Sequence, residues 1–195
     1  MLAQIEGAIR GGIDLVQIRE RDLEGGALAR LVRDALYMAE GSATRILVND
    51  RIDVALATGA GVHLRESSVG CTIVRRLWPA MTIGRSVHSV ESVARAVDAD
   101  YLIAGTIFPT DSKRDAVLLG PDGLARIVRH AGGRPVLAIG GVTIAQLPAI
   151  AGAGAQGIAA IGAFMPDRSA QNVTEAVEKR VKRTRFAFDT ISTVT

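Results

Sequence analysis

The sequence predicts an α/β fold of the TIM-type (β/α)8 barrel class, and three observations favour it. Short runs rich in Val, Ile and Leu alternate with longer Ala/Leu/Arg segments at helical spacing, which is typical of repeated β-α units. The runs are almost wholly apolar, so both faces of each strand are expected to be covered. The 195 residues are enough for one sizeable core and too few for two ordinary domains. A doubly wound open sheet is the alternative.

The predicted elements follow one another in β-α order. Strands are predicted near 14–19, 45–49, 61–64, 82–86, 99–105, 135–140 and 157–162. Helices are predicted over 2–10, 26–41, 51–58, 89–97, 121–130, 143–151 and 169–185. Asp50, Ser89 and Thr143 each precede one of these helices, and all three are residue types that cap helix N-termini.

One strand of the expected eight is missing, because the chain opens directly on the helical segment 2–10. Residues 186–195 are rich in β-forming types and follow the last predicted helix. Our hypothesis is therefore a barrel domain at 1–185 and a tail at 186–195 that closes the barrel in place of its first strand. A disordered tail or a shortened gene model is the alternative.

The composition argues against several classes of function. No apolar run approaches the roughly 20 residues of a membrane span, so we expect a soluble, cytoplasmic protein. Cys71 is the only cysteine, and we expect it to pack as a small apolar residue.

Much of the net charge of +3 comes from basic residues between 179 and 185. These are typical of a solvated helix, so no nucleic-acid partner is expected. Exposed strand edges favour a homo-oligomer.

Polar residues gather where the predicted strands end, which is the active face of a parallel barrel. Gln17, Arg19 and Arg21 alternate along the first run and form a planar donor set suited to phosphate oxygens. The alternative is an internal salt bridge with Glu20 or Asp50. Asn49 and Asp50 end the second run, where they suit a hydrated Mg²⁺ that also touches substrate phosphates. Alternatively, Asp50 only caps the next helix.

The later strand ends offer further candidates for anion binding. Ser86 and His88 follow the fourth run and are placed to touch a ligand. After the fifth run, Thr110, Ser112 and Lys113 provide two hydroxyls and a movable charge, which suits a departing pyrophosphate unless this loop is only solvated. The sixth and seventh runs end in Gly140-Gly141 and in Ile161-Gly162. Backbone N–H groups at such glycines can approach a phosphate closely.

These motifs, in this order, resemble the thiamin phosphate synthase and TenI superfamily over residues 2 to about 165. The synthase pattern is Q-x-R-x-K, N-D, H-x-G-Q-x-D, G-x-S-x-H, G-P-I-[FY]-P-T-x-T-K-x-D, I-G-G and a V-S-A-I-like strand end. The corresponding residues here are Gln17, Arg19, Arg21, Asn49, Asp50, Ser86, Thr110, Ser112, Lys113, Asp115, Gly140, Gly141, Ile161 and Gly162.

The resemblance implies condensation of a hydroxymethylpyrimidine pyrophosphate with a thiazole phosphate, with Mg²⁺ assisting the release of pyrophosphate. It implies that Arg19, Arg21 and Lys113 stabilise the departing pyrophosphate and that Asp50 binds the metal. It further implies that Ser86 contacts the pyrimidine and that the glycines ending the sixth and seventh runs hold the thiazole phosphate.

Two departures from the pattern keep alternatives open. Ser68 stands where the synthases have their second metal-binding aspartate, which puts Mg²⁺ binding in doubt unless Glu66 substitutes. The TenI thiazole tautomerases of the superfamily carry a catalytic histidine where this chain has Thr106. The synthase interpretation is favoured, because a tautomerase has no use for Gln17, Arg21 and the loop 110–115. A tautomerase or a non-catalytic protein that binds thiazole phosphate is the alternative.

Overall fold

Seven parallel strands alternate with eight α-helices in a computed structural model that describes residues 1–110, 115, 117–166 and 169–192. The helices are α1 Leu2–Arg10, α2 Gly25–Ala39, α3 Ile52–Thr58, α4 Cys71–Leu77, α5 Val90–Ala94, α6 Gly120–His130, α7 Leu147–Gly152 and α8 Val173–Ser192. The strands are β1 Leu15–Ile18, β2 Arg45–Asn49, β3 Gly61–Leu64, β4 Ile83–Val87, β5 Tyr101–Gly105, β6 Val136–Ile139 and β7 Gly157–Ala159. A 3-10 turn at Ile144–Gln146 precedes α7.

The order of the strands decides between the two predicted topologies. It runs from β1 to β7 in chain sequence, whereas a doubly wound sheet reverses its order part-way. The doubly wound alternative is therefore wrong, and all seven predicted strands are present. Helix α4 is not predicted from the sequence. Of its seven residues, Cys71 and Val74 are buried, whereas Ile73 and Leu77 are exposed.

The first compact unit comprises Met1–His63, Ala80–Thr82 and Phe164–Arg183. In it β1 pairs with β2 and β2 with β3, in a register that sets Gln17 beside Leu47 and Asn49 beside His63. Helix α1 lies very close to the first half of α8. A Cβ at Gly11 would stand 2.6 Å from the Cβ of Val181, so only glycine permits this approach.

The second unit comprises Leu64–Pro79, Ile83–Ala163 and the chain from Thr184. Here β4 pairs with β5, β5 with β6, and β6 with β7, all parallel. Leu102, Ala104, Val136 and Ala138 on the central strands are fully buried. All five residues of β5 are buried, so burial on both faces explains its continuous apolar run. In β6, Val136 and Ala138 are buried, whereas Leu137 and Ile139 are only partly buried.

The C-terminal tail is helical and not a strand. Helix α8 continues from Val173 to Ser192, so the predicted closing strand is wrong for residues 186–192, while residues 193–195 lie outside the described part of the chain. Phe186 is 75% exposed and Phe188 is 9% exposed. In a helix, side chains two positions apart point about 200° away from each other, whereas in a strand they lie on the same face. The burial pattern therefore follows the helical period.

Ion pairs four residues apart run along α8. Lys179 pairs with Glu175, Lys182 with Glu178, and Arg185 with Asp189. This confirms the prediction that the basic segment 179–185 belongs to a solvated helix. None of the helices in the described ranges is long and apolar enough to cross a membrane.

Candidate active site

Strand β1 ends earlier than predicted, before the two arginines that follow it. Gln17 lies in β1 and is exposed, but β1 ends at Ile18. Arg19 and Arg21 therefore lie in the loop that follows, and the prediction that they share a strand face with Gln17 is wrong. The recorded pairing of β1 with β2 runs from Leu15 to Ile18 and goes no further.

Neither of these two arginines forms an ion pair within the part of the chain that the structure describes. Both side chains are exposed, and the ion pairs among the described residues include neither of them. The alternative salt bridge with Glu20 or Asp50 is therefore not formed in the described structure. Guanidinium groups offer several N–H donors in a planar fork that matches phosphate oxygens. The loop after β1 is thus chemically suited to bind an anion.

Asp50 follows β2 in a backbone conformation that a side chain seldom adopts. Its φ is +60°, and its N–H donates to the carbonyl of His63 at 2.9 Å. The N-cap of α3 is Arg51, which makes no side-chain capping bond, so the interpretation of Asp50 as the cap is wrong. Left-handed backbone at a non-glycine residue is strained and concentrates at functional sites.

Arg51, directly after Asp50, forms an ion pair with a nearby carboxylate. Its Nε and a terminal nitrogen donate to the carboxylate of Asp53 at 2.9 and 2.7 Å. This hydrogen bonding lowers the pKa of Asp53 below its ordinary value and raises the pKa of Arg51. Arg51 is therefore a less suitable anion ligand than Arg19 or Arg21.

The donor set for Mg²⁺ is sparse. Over the ranges that the structure describes, no three His, Cys, Asp or Glu side chains group closely enough to hold a metal ion. The hydroxyl of Ser68 accepts the N–H of Arg65 at 3.1 Å. Oε2 of Glu66 is hydrogen-bonded to the ring of His88, and its Oε1 forms an ion pair with Arg95. Glu66 is thus already engaged by two side chains, and its substitution for the missing aspartate stays a prediction. The residues fit a Mg²⁺ held by Asp50 together with substrate phosphates and water, and not an all-protein cage.

The Gly140-Gly141 turn after β6 packs tightly against the segment after β5. Both glycines have positive φ, +102° and +61°. The N–H of Phe108 donates to the carbonyl of Gly140 at 3.0 Å, and a Cβ at Gly141 would collide with the carbonyl oxygen of Pro109. The structure therefore adds a second reason for glycine here. The predicted approach of a phosphate to these N–H groups stays a prediction.

The end of the seventh run differs from the prediction. Strand β7 stops at Ala159, so Ile161 and Gly162 lie in the bend that follows. Ile161 is 65% exposed, and no atom lies within 4 Å of where a Cβ on Gly162 would stand. The backbone does not require glycine at 162, and the serine that the synthases usually carry there would fit.

Comparison with known proteins decides the family. The model of the family described as thiamine monophosphate synthase matches residues 1–164. The chain belongs to the thiamine monophosphate synthase family. It is 37% identical to a thiamine-phosphate synthase of Chloroflexus aurantiacus, over 91% of this chain and 82% of that protein. It is 34% identical to a thiamine-phosphate synthase of Pyrococcus abyssi, over 91% of this chain and 87% of that protein.

A solved structure agrees with the sequence relatives. Thiamine phosphate pyrophosphorylase from Pyrococcus furiosus matches with a TM-score of 0.78 and 31% identity, covering 94% of this chain and 90% of that one. The chain therefore has a TIM-type α/β fold, as predicted, and the predicted resemblance to the synthase family is confirmed.

Several site residues of the synthase family remain predictions here. Asn49, Ser86 and Thr110 are half-buried at or just after the ends of β2, β4 and β5. Ser112 and Lys113 lie outside the described residues, so their roles are untested by the structure. Thr106, at the position of the tautomerase histidine, is 5% exposed.

One part of this family member was not foreseen from its sequence. Arg85 in β4 is only 6% exposed, and it lies between Gly84 and Ser86 with no acidic residue within five positions of it in the sequence. Its partners are backbone carbonyls of the segment 66–69. An arginine inside a predicted buried strand is the available signal, but the sequence does not show which carbonyls surround it.

Proposed function

We propose that this chain is a thiamine-phosphate synthase. It transfers the pyrimidinylmethyl group of a hydroxymethylpyrimidine pyrophosphate to the ring nitrogen of a thiazole phosphate and releases pyrophosphate. Family membership supports this proposal. The relatives compared are named thiamine-phosphate synthases, and the matches cover most of this chain and of each relative. The structural observation that carries it is the pair Arg19 and Arg21, whose charges no carboxylate of the described chain offsets.

The reaction requires charge stabilisation more than a base. The bond between the methylene carbon and the pyrophosphate oxygen breaks, and its electron pair leaves with that oxygen. The thiazole nitrogen then gives its lone pair to the methylene carbon, which is electron-poor as the pyrophosphate departs. Negative charge therefore grows on the pyrophosphate, and we assign its stabilisation to Arg19, Arg21 and Lys113. Thr110 and Ser112 supply neutral donors to the same group.

Mg²⁺ is assigned a supporting role. When bound, it would neutralise charge on the pyrophosphate oxygens, with Asp50 as its protein ligand. The strained backbone of Asp50 supports a functional role for this residue. The chain's own residues then orient the reactants around it.

The two heterocycles are assigned to different residues. Gln17, Asn49 and Ser86 are proposed to contact the pyrimidine, whose ring nitrogens and amine need both donors and acceptors. Gly140, Gly141, Ile161 and Gly162 are proposed to hold the thiazole phosphate through backbone N–H groups. Because phosphorylated substrates do not cross membranes freely, we place the enzyme in the cytoplasm.

The tautomerase alternative has less support. Its proton transfer needs an acid-base group such as histidine, and Thr106 has no such group and is buried. Among the comparisons reported above, each relative is named for the synthase reaction. Binding of thiazole phosphate without turnover is the remaining alternative.

Incubation of the purified protein with both substrates and Mg²⁺ tests the proposal. We expect equimolar pyrophosphate and thiamin phosphate, measured by coupled assay and mass spectrometry. Lys113→Ala should lower kcat by about 100-fold, while the matched control Lys179→Ala, which loses only a surface ion pair with Glu175, should not. Isomerisation of thiazole carboxylate phosphate without pyrophosphate release would establish the tautomerase. Binding without either reaction would establish the non-catalytic alternative.

A further inference from the structure

The side chain of Arg85 donates hydrogen bonds to the backbone of residues 65–70, the segment between β3 and α4. Its guanidinium donates to the carbonyls of Val69 at 2.6 Å, Glu66 at 2.8 Å and Ser68 at 3.1 Å. Because Arg85 is only 6% exposed, these hydrogen bonds replace most of its contact with water, and each is charge-assisted. The backbone at Glu66 is therefore fixed independently of its side chain.

The carboxylate of Glu66 holds two further residues. Its Oε2 lies 2.6 Å from Nδ1 of His88, and its Oε1 lies 2.8 Å from a terminal nitrogen of Arg95. The N–H of His88 also donates to the hydroxyl of Ser92 at 2.9 Å, so backbone and ring of His88 are both held. Arg95 is the more exposed partner, at 62% against 48% for His88.

The Glu66 contact determines which ring nitrogen of His88 carries the hydrogen. An ionised carboxylate only accepts hydrogen bonds, so Nδ1 must be the donor. In the neutral imidazole, Nε2 then has a lone pair and is an acceptor. The side chain of Ser86, two residues earlier, leaves β4 on the face opposite to Arg85. His88 follows two residues after Ser86, which we assign to the pyrimidine, and offers Nε2 as an acceptor.

We propose that Glu66 is a positioning residue of the synthase site, which holds His88 with Nε2 as a hydrogen-bond acceptor for the exocyclic amine of the pyrimidine substrate. This inference rests on the proposed function for the identity of the substrate. It needs no proton transfer, since His88 binds and orients the pyrimidine and Glu66 acts only through His88. The amine N–H is a donor, so the tautomer that Glu66 fixes is the complementary one.

The tautomer is measurable without any substrate. Long-range ¹H–¹⁵N spectra distinguish the two ring nitrogens, and the signal lost in His88→Gln identifies the residue. At a pH where the ring is neutral, we expect the Nδ1–H form in the unaltered protein. Glu66→Ala should shift it toward the Nε2–H form, and Glu66→Gln, which keeps an acceptor oxygen, should restore it. An unchanged spectrum in Glu66→Ala would overturn the proposal.

Kinetics separate positioning from a merely structural role. Glu66→Ala should raise KM for the pyrimidine pyrophosphate about tenfold, the loss of roughly one such hydrogen bond. KM for thiazole phosphate and the melting temperature should stay close to those of the unaltered protein, because Arg85 still holds the segment. His88→Ala should match Glu66→Ala, the double variant should add little, and Glu66→Gln should recover most of the loss.

Arg95→Ala is the matched control, because it removes the ion pair at the other oxygen of the same carboxylate. It should change neither KM by more than about twofold. Equal effects of Glu66→Ala and Arg95→Ala on both substrates would contradict positioning through His88. If the unaltered protein releases no pyrophosphate, the proposed function fails, while the ring spectra still decide whether Glu66 sets the tautomer.

Discussion

A Cβ at Gly140 would stand 2.5 Å from Cγ2 of Thr106. The turn after β6 and the first residue after β5 therefore pack so closely that no side chain fits at 140. The positive φ of +102° at Gly140 independently disfavours any other residue. The same turn supplies the N–H groups that we assign to the thiazole phosphate.

Gly140→Ala is expected to destabilise the protein, and Gly162→Ala is its control. Backbone strain and overpacking together should cost about 2 kcal/mol of unfolding free energy at 140, which lowers Tm by roughly 4–8 °C in a domain of this size. At 162 a Cβ meets no atom within 4 Å, so Tm should hold. Thermal unfolding measures both, and equal Tm values for the two variants would contradict the packing argument.

Asp50 and Asp98 share a left-handed backbone, with φ of +60° and +67°. Glycine relieves that strain, so Asp50→Gly and Asp98→Gly should each leave stability unchanged or raise it by about 0.5–1 kcal/mol. Only Asp50→Gly should lose activity, by about 100-fold, because the proposed metal ligand is lost. Urea unfolding and pyrophosphate release measure the two effects. A fully active Asp50→Gly variant would refute the role of Asp50.

Arg19 and Arg21 should dominate binding of inorganic pyrophosphate. Each charge-assisted hydrogen bond is worth about 1.5–3 kcal/mol, so Arg19→Gln or Arg21→Gln should weaken binding roughly 10- to 100-fold in calorimetry. Arg10→Gln is the control, because Arg10 is exposed and already paired with Glu6. If all three variants weaken binding equally, only the overall charge of the protein matters.

Tyr101 couples stability to alkaline pH. Burial, with a smaller effect of the Asp100 charge, raises the pKa of its hydroxyl above the ordinary 10.0. The folded state therefore keeps a proton that the unfolded state releases above pH 10, and stability falls as the pH rises further. In urea unfolding, Tyr101→Phe should reduce the loss of unfolding free energy at alkaline pH. Tyr37→Phe should not, because Tyr37 is 75% exposed. A pH profile unchanged by Tyr101→Phe would contradict this coupling.

The strands were predictable because burial on both faces leaves a direct mark in the sequence. Ile46, Leu47 and Val48 of β2 are all at most 3% exposed, and a continuous apolar run is what such a strand requires. Strand ends depend on hydrogen bonds to neighbours, which the sequence does not display. For this reason the sequence predicts a strand that includes Arg19, whereas β1 ends at Ile18.

The site was predictable in its residue types but not in its contacts. Family motifs identify Asp50, yet its positive φ depends on how β2 meets α3. The sequence offers Glu66 as a substitute metal ligand, whereas its contacts with His88 and Arg95 depend on the segment before α4 meeting the two ends of α5. A sequence shows which charges exist, and only the fold shows which of them are already neutralised.

The tail gives a last, separate test, because a helix and a strand place its two phenylalanines differently. In α8, Phe188 is 9% exposed and Phe186 is 75% exposed. Phe188→Ala should therefore lower the unfolding free energy by about 3 kcal/mol, and Phe186→Ala should change it by less than about 0.5 kcal/mol. Urea unfolding measures both. In a strand the two rings would share one face, so similar losses in the two variants would favour the strand that the sequence suggested.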